Sequence, residues 1–243
     1  LSEDDIIFAG FPKTSTYWNW SGLDQGTTHI SIPDGVTTIA ADAFLGYVSL
    51  VSVTLPNSLK IIERDAFCGC IRLTSVAFPD SLETIGTNAF ANCVELASIN
   101  LPDLLDTISD STFHRCISLT TVVFPSSLKA IERLAFKGCI TLVTATFPDS
   151  LETIGMGAFE GCRDLTSVSF PDSLENVENF AFSGCNSLKN VVIPASLLDE
   201  NIGEGAFPDE PTRRFSMREK VDVPDEKTPE QMALCDLGAC NLQ

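Results

Sequence analysis

Two histidines, nine cysteines and 33 carboxylates are the groups in this 243-residue sequence that could do acid–base, nucleophilic or metal chemistry. Nucleophilic catalysis needs a base within hydrogen-bond reach of the nucleophile, and a metal needs ligands converging from several directions. Neither pattern is present. His29 and His114 are 85 positions apart, and no Gly-x-Ser-x-Gly, His-Glu-x-x-His or Gly-x-x-x-x-Gly-Lys occurs. Gly155, Gly157 and Gly161 lack the spacing of a dinucleotide loop. Six cysteines, Cys70, Cys93, Cys116, Cys139, Cys162 and Cys185, recur every 23 residues. In-register copies on neighbouring strands would stand ~4.8 Å apart, beyond the roughly 3.5–4.5 Å between Cβ atoms that a disulfide wants. A straight row also offers no tetrahedral set to one ion. The column is therefore expected to be small buried hydrophobes, and the chain is expected to have no enzymatic activity, cofactor or metal site. Cys68 is expected to face outward, while Cys235 and Cys240 can pair with each other or stay free.

The elements that place these residues are set by a repeat. Pro33, Pro56, Pro79, Pro102, Pro125, Pro148, Pro171 and Pro194 are spaced by 23, and Phe44, Phe67, Phe90, Phe113, Phe136, Phe159 and Phe182 keep the same step. The next phenylalanine, Phe207, comes two residues late, which places an insertion within Leu197–Gly205. A 23-residue unit cannot bury a core alone, but stacked copies share one. The run before the proline has the form Leu-x-x-Val-x-Phe, as in Leu165, Val168 and Phe170, with other apolar residues at these positions in several turns. This is a strand pattern that proline ends, because proline has no N–H for the ladder. The expectation is an α/β solenoid of about eight turns, each with one short parallel strand. Its convex side would be irregular or short-helical, with a turn of 3₁₀ or α-helix at the Ala-Phe pair. Gly46, Gly69, Gly138, Gly161 and Gly184 are expected in left-handed backbone, which Asn92 also tolerates. Arg115 is the strained exception.

Alternate strand residues must point away from the core. The outward columns contain Ser52, Thr54, Ser75, Ser98, Asn100, Thr121, Val123, Thr144, Thr146, Ser167, Ser169, Asn190 and Val192, which form the candidate partner-binding face. With the residues five before each proline, the columns hold 24 positions and a single charge, Lys189. Two readings stand side by side. Uncharged hydroxyl and valine side chains let a partner lie flat without desolvating ions; the same residue types also simply suit a parallel sheet. A regular ice- or polysaccharide-binding lattice fits less well, since the third column is mixed and no row of aromatic platforms is present.

The net charge of −18 disfavours nucleic acid and anionic membranes as partners, and no apolar run is long enough for a transmembrane segment. Asp34, Asp80, Asp103, Asp149 and Asp172, with Glu83, Asp106, Glu152 and Glu175, line the turn after the proline. They read as a solvated edge, with a Ca²⁺ ladder as the alternative that Lys60 and Lys129 interrupt.

The unit Pro-x-Ser-Leu-x-x-Ile-x-x-x-Ala-Phe-x-Gly-Cys-x-x-Leu-x-x-Val-x-Phe resembles the BspA-like, or treponemal-type, leucine-rich repeat family. Pro148, Ser150, Leu151, Ile154, Ala158, Phe159, Gly161, Cys162, Leu165, Val168 and Phe170 carry it almost completely. Departures are Tyr47 in the cysteine column, Thr112 in the alanine column and Ala145 in the strand. The resemblance spans about Ile30–Phe207. It implies a right-handed leucine-rich-repeat coil, found largely in secreted or cell-surface proteins that adhere to other proteins or host matrix. The expected function is a non-catalytic protein-protein interaction module, either a surface adhesion protein or a subunit of a larger assembly. It would bind protein partners through the strand face, an edge or the tail. A carbohydrate- or cell-wall-binding surface protein is the alternative.

Outside the repeat, residues 1–29 contain Tyr17, Trp18 and Trp20 and are expected to cap the N-terminal end, with a partner contact as the alternative. Asn19-Trp20-Ser21 is a formal glycosylation sequon. Residues 208–243 lack periodicity and read as an extended tail or irregular cap, with a short helix expected over Thr228–Leu237.

Overall fold

The structure, a computed structural model, describes residues 5–6, 17–18, 24–208 and 213–215. The expectations about Asn19, Trp20, Thr228–Leu237, Cys235 and Cys240 fall outside these residues.

The chain winds as a parallel β-solenoid with two strands per turn, where one was expected. The expected strand forms at His29–Ser31, Ser52–Thr54, Ser75–Val76, Ser98–Asn100, Thr121–Val123, Thr144–Thr146, Ser167–Ser169 and Asn190–Ile193. A second, of two residues, surrounds the isoleucine column at Thr38–Ile39, Ile61–Ile62, Thr84–Ile85, Thr107–Ile108, Ala130–Ile131, Thr153–Ile154 and Asn176–Val177. Partners within each ladder lie one repeat apart, as in Ile30↔Val53, Val122↔Ile99 and Ile131↔Ile154. Seven turns are complete; the eighth reduces its second strand to a single bridge, Val177↔Ile202. The two-residue insertion is responsible, because it diverts the chain through one 3₁₀ turn, Asp199–Asn201. At the ends, Asp5–Ile6 pairs with His29–Ile30, Tyr17–Trp18 with Thr38–Ile39, and Arg213–Phe215 with Val191–Ile193.

No helix forms at the Ala-Phe pair, so the helical part of the expected α/β architecture is corrected. Along this third side, backbone donors alternate. Ala43, Leu45 and Tyr47 donate three residues back, to Ala40, Asp42 and Phe44, while Asp42, Phe44 and Gly46 donate to Arg64, Ala66 and Cys68 of the next turn. A helix would consume every donor within its own turn. Here half of them bind the turns together. Two left-handed residues per turn make the alternation possible. One is the expected column, Gly46, Gly69, Asn92, Arg115, Gly138, Gly161 and Gly184, with φ of 58–76°. The other, four residues earlier, is mostly not glycine: Asp42, Asp65, Asn88, Ser111, Leu134, Gly157 and Phe180.

The core is a column of stacked rings from Phe44 to Phe207, with centroids 4.9–5.7 Å apart in successive turns. Around it the leucine, isoleucine and alanine columns are fully buried. Each column cysteine is buried, unpaired and donates its S–H to the carbonyl of a phenylalanine 26 residues earlier, from Cys70 to Phe44 through Cys185 to Phe159, at 3.2–3.3 Å. Thr112, replacing alanine, satisfies its buried hydroxyl at the Ser109 carbonyl, 2.8 Å away.

A hydroxyl ladder ties the proline turns together. Ser58, Ser81, Ser127, Ser150 and Ser173 each donate to a carbonyl 22 residues back, at 2.7–2.8 Å. Leu104 occupies the missing rung and is 55% exposed. At that rung the second sheet breaks between Thr84–Ile85 and Thr107–Ile108, and the widest ring spacing, Phe90 to Phe113 at 5.7 Å, falls there too.

Candidate functional site

Because Ile30, Val53, Val76, Ile99, Val122, Ala145, Val168 and Val191 are buried, their neighbours on each strand must turn outward. Thr54, Ser75, Ser98, Asn100, Thr121, Val123, Thr144, Thr146, Ser167, Ser169 and Val192 are exposed and Ser52 is half-buried. Asn190 pairs in register with Ser167, and Val192 with Ser169. Ladder register puts these positions side by side: Ser52 beside Ser75, Ser75 beside Ser98, Ser98 beside Thr121, and Thr144 beside Ser167.

The hydroxyls on this face fall into two sets. Thr74, Thr120 and Thr166 are committed, each donating to a backbone carbonyl of the preceding turn at 3.1–3.3 Å. The side-chain hydroxyls of Thr54, Ser75, Ser98, Thr121, Thr144, Thr146, Ser167 and Ser169 have no hydrogen-bond partner among the described residues. Eight exposed hydroxyls, each able to donate and accept, thus lie beside the exposed apolar side chains Val123, Val143 and Val192. His29 is engaged by the Thr28 hydroxyl at 2.8 Å. Such a surface can hydrogen-bond and cover a neutral, flat partner without removing an ion from water.

Charge lies elsewhere. The ion pairs Lys60–Glu83, Arg64–Asp42, Arg133–Asp110 and Lys137–Glu160 all join adjacent turns on the exterior, at 2.8–3.8 Å. Exposed pairs of this kind contribute about 0–1 kcal/mol each. Asp34, Asp80, Asp103, Asp149 and Asp172 are exposed, and among the described residues no three potential metal ligands converge. His114 lies half-buried on the strand-free side. Burial, then the charges of Arg115 and Lys137, push its pKa below the usual imidazole value.

Residue patterns did not bring out two further features. A second outward row, Thr38, Ile61, Thr84, Thr107, Ala130, Thr153 and Asn176, belongs to the extra strands and is also uncharged. Its signal was the β-branched residue before most members of the isoleucine column. The other is a depression lined by His114, Arg115, Lys137 and Arg163. It was detectable only as three neighbouring repeats departing from their own columns.

The BspA type leucine rich repeat region profile matches in six copies, over residues 24–143 and 106–228. The chain belongs to this family. Among solved structures it is similar to a leucine-rich repeat protein from Eubacterium ventriosum, with 31% identity and a TM-score of 0.61. That match covers 65% of this chain and 42% of the other, so this chain spans less than half of that protein. The T. pallidum leucine-rich repeat protein is 31% identical with a TM-score of 0.50, covering 74% of this chain and 78% of the other. The pneumococcal vaccine antigen PcpA shares the fold at 17% identity and a TM-score of 0.50, over 77% of this chain and 68% of that one. No protein of curated function matches the sequence significantly. Proteins with BspA-type leucine-rich repeats are typically surface or protein-interaction modules. Among the described residues, no helix is long and apolar enough to cross a membrane.

Proposed function

We propose that this BspA-type leucine-rich repeat protein is a non-catalytic binding module of the secreted or cell-surface kind. Its strand face, from Ser52 to Val192, covers a protein partner. The observation that carries this reading is the row of eight exposed hydroxyls without partners among the described residues, within 24 outward positions of the repeat that hold a single charge, Lys189. Hydroxyls serving only the sheet would bond as Thr74, Thr120 and Thr166 do. The N-terminal residues 1–29 cap the coil in this reading, and at the other end Arg213–Phe215 extends the strand face by pairing with Val191–Ile193.

Dimensions refine the contact. Seven strands at ~4.8 Å, each about 10 Å long, give roughly 340 Å², under half of the ~800 Å² per partner in a standard stable interface. The partner must therefore also touch the columns beside the strands, including Val51, Thr74 and Val143, or bind transiently.

The test compares affinity purification from native material using the intact protein and its Thr121→Lys and Ser167→Lys variants. Both positions are exposed, so the coil should survive the change. A protein retained by the parent and lost with both variants supports the reading. Retention by both variants refutes the use of this face. Saturable binding of a neutral oligosaccharide, displaced by Thr121→Lys, would replace the protein partner with a carbohydrate.

A further inference from the structure

On the strand-free side, three consecutive turns build a depression of about 270 Å³ lined by His114, Arg115, Lys137, Gly138, Glu160 and Arg163. Its residues break the pattern of their own columns. Arg115 stands where Gly46, Gly69, Gly138, Gly161 and Gly184 stand, and holds φ at 58°. Left-handed backbone disfavours a side chain, so this arginine is kept against local preference. Arg163 replaces the apolar residue of Val48, Ile71, Val94, Ile117 and Ile140. His114 and Lys137 follow Leu45, Cys68 and Ala91 in a third column.

Gly138 makes room for the cluster. A Cβ there would lie 3.3 Å from Cγ of Arg115, so the arginine stem crosses over this glycine. Lys137 is paired with Glu160 at 2.9 Å, whereas Arg115 and Arg163 form no ion pair among the described residues. The lining carries three cations and one carboxylate in a chain of net charge −18. Two guanidinium groups that line one depression and form no ion pair among the described residues, in so acidic a protein, need an explanation that the strand face does not supply.

We propose that this depression binds a small phosphate-bearing molecule, with Arg115 and Arg163 supplying guanidinium donors and Lys137 an ammonium group. One bidentate arginine already occupies both oxygens of a carboxylate. Two forks and an ammonium suit an ion with three terminal oxygens and a charge near −2, which a phosphomonoester provides. The volume lies below the roughly 300–1,000 Å³ of pockets for drug-sized ligands, which selects a single phosphorylated unit. His114, held toward its neutral form by burial and then by the charges of Arg115 and Lys137, offers one N–H. The site lies away from the strand face, so its ligand and the proposed protein partner are independent.

Calorimetric titration of the full chain at low salt tests the proposal, with inorganic phosphate, glycerol 3-phosphate and acetate as probes. One-site binding of either phosphate compound is expected, and it should weaken at least tenfold in Arg115→Ala and in Arg163→Ala. Arg72→Ala, which removes an exposed cation elsewhere, should change affinity less than twofold. Preference for glycerol 3-phosphate identifies an ester as the ligand; equal binding of inorganic phosphate identifies the free ion. Arg115→Gly serves as a second variant that the left-handed backbone accepts without strain, and it should lose binding equally. Unsaturable binding of both phosphates, acetate binding as tightly as phosphate, or equal weakening in Arg72→Ala would overturn the assignment.

Discussion

Replacing Phe136 by alanine should remove one ring from the middle of the stacked column. The side chain is fully buried, with Phe113 stacked at 5.4 Å, Phe159 stacked at 5.2 Å and Phe124 edge-on at 5.8 Å. Buried phenylalanine-to-alanine changes cost about 3–5 kcal/mol, and ring pairs add about 0.5–1.5 kcal/mol beyond area. The turns above and below are bonded through their backbones and cannot collapse into the gap, so the expected loss is in the upper half, about 4–5 kcal/mol. Urea unfolding followed by circular dichroism measures it, with an unchanged m-value showing that the transition remains cooperative. Phe180→Ala is the control: its ring is 44% exposed and the expected loss is under about 1 kcal/mol. A double-mutant cycle of Phe113→Ala with Phe136→Ala should show coupling of about 0.5–1.5 kcal/mol. A loss at Phe136 below about 2 kcal/mol, or one equal to that at Phe180, would refute the shared ring column as the source of stability.

Leu104→Ser should restore the missing rung to the carbonyl of Leu82 and raise stability by about 1 kcal/mol in the same assay. No gain would show that the sheet break has another cause. Alkaline pH should destabilise the coil, because burial pushes the thiols of Cys70 and Cys139 up to about 12 from an ordinary 9.0. Below about pH 9 both states keep these thiols protonated and the contribution is complete; above it the unfolded chain ionises first. At pH 10 the loss is roughly 1.4 kcal/mol per thiol, continuing toward pH 12. Cys93, Cys116 and Cys162 shift in the same direction by burial. A flat stability profile from pH 8 to 10.5 would contradict this. Thiol titration of the native protein at pH 8 should label the half-buried Cys68 and leave the six column cysteines unreacted until urea is added.

The repeat made the inside of the coil legible. The period of 23, the phenylalanine and cysteine columns, the left-handed glycines and Arg115 among them could all be placed from spacing alone. The second strand escaped because it is two residues long, and Thr153–Ile154 or Ala130–Ile131 offers no alternation to read. The helix expected at the Ala-Phe pair was misplaced for a related reason. The local i to i−3 bonds do form there, but left-handed Asp42 and its equivalents interrupt them every few residues, and aspartate and asparagine in a turn do not announce that role. Outward strand residues were identifiable by parity, whereas the division of their hydroxyls into bonded and free depends on geometry that parity does not encode. The cationic depression left only scattered column departures in the sequence, since Arg115, Lys137 and Arg163 are 22 to 48 positions apart and line one site only once adjacent turns are stacked.

The alternation of backbone bonds on the strand-free side also bears on how such a chain can change its length. Every turn offers its neighbour the same donors and acceptors, so duplicating or deleting one whole 23-residue unit leaves each junction chemically identical to the one it replaces. A gain of one or two residues displaces all later positions by a step unless the surplus bulges out at once, as at Asp199–Asn201, just before the regular winding ends. Growth of this molecule is therefore quantised, and tolerance of odd-sized insertions belongs to its extremities.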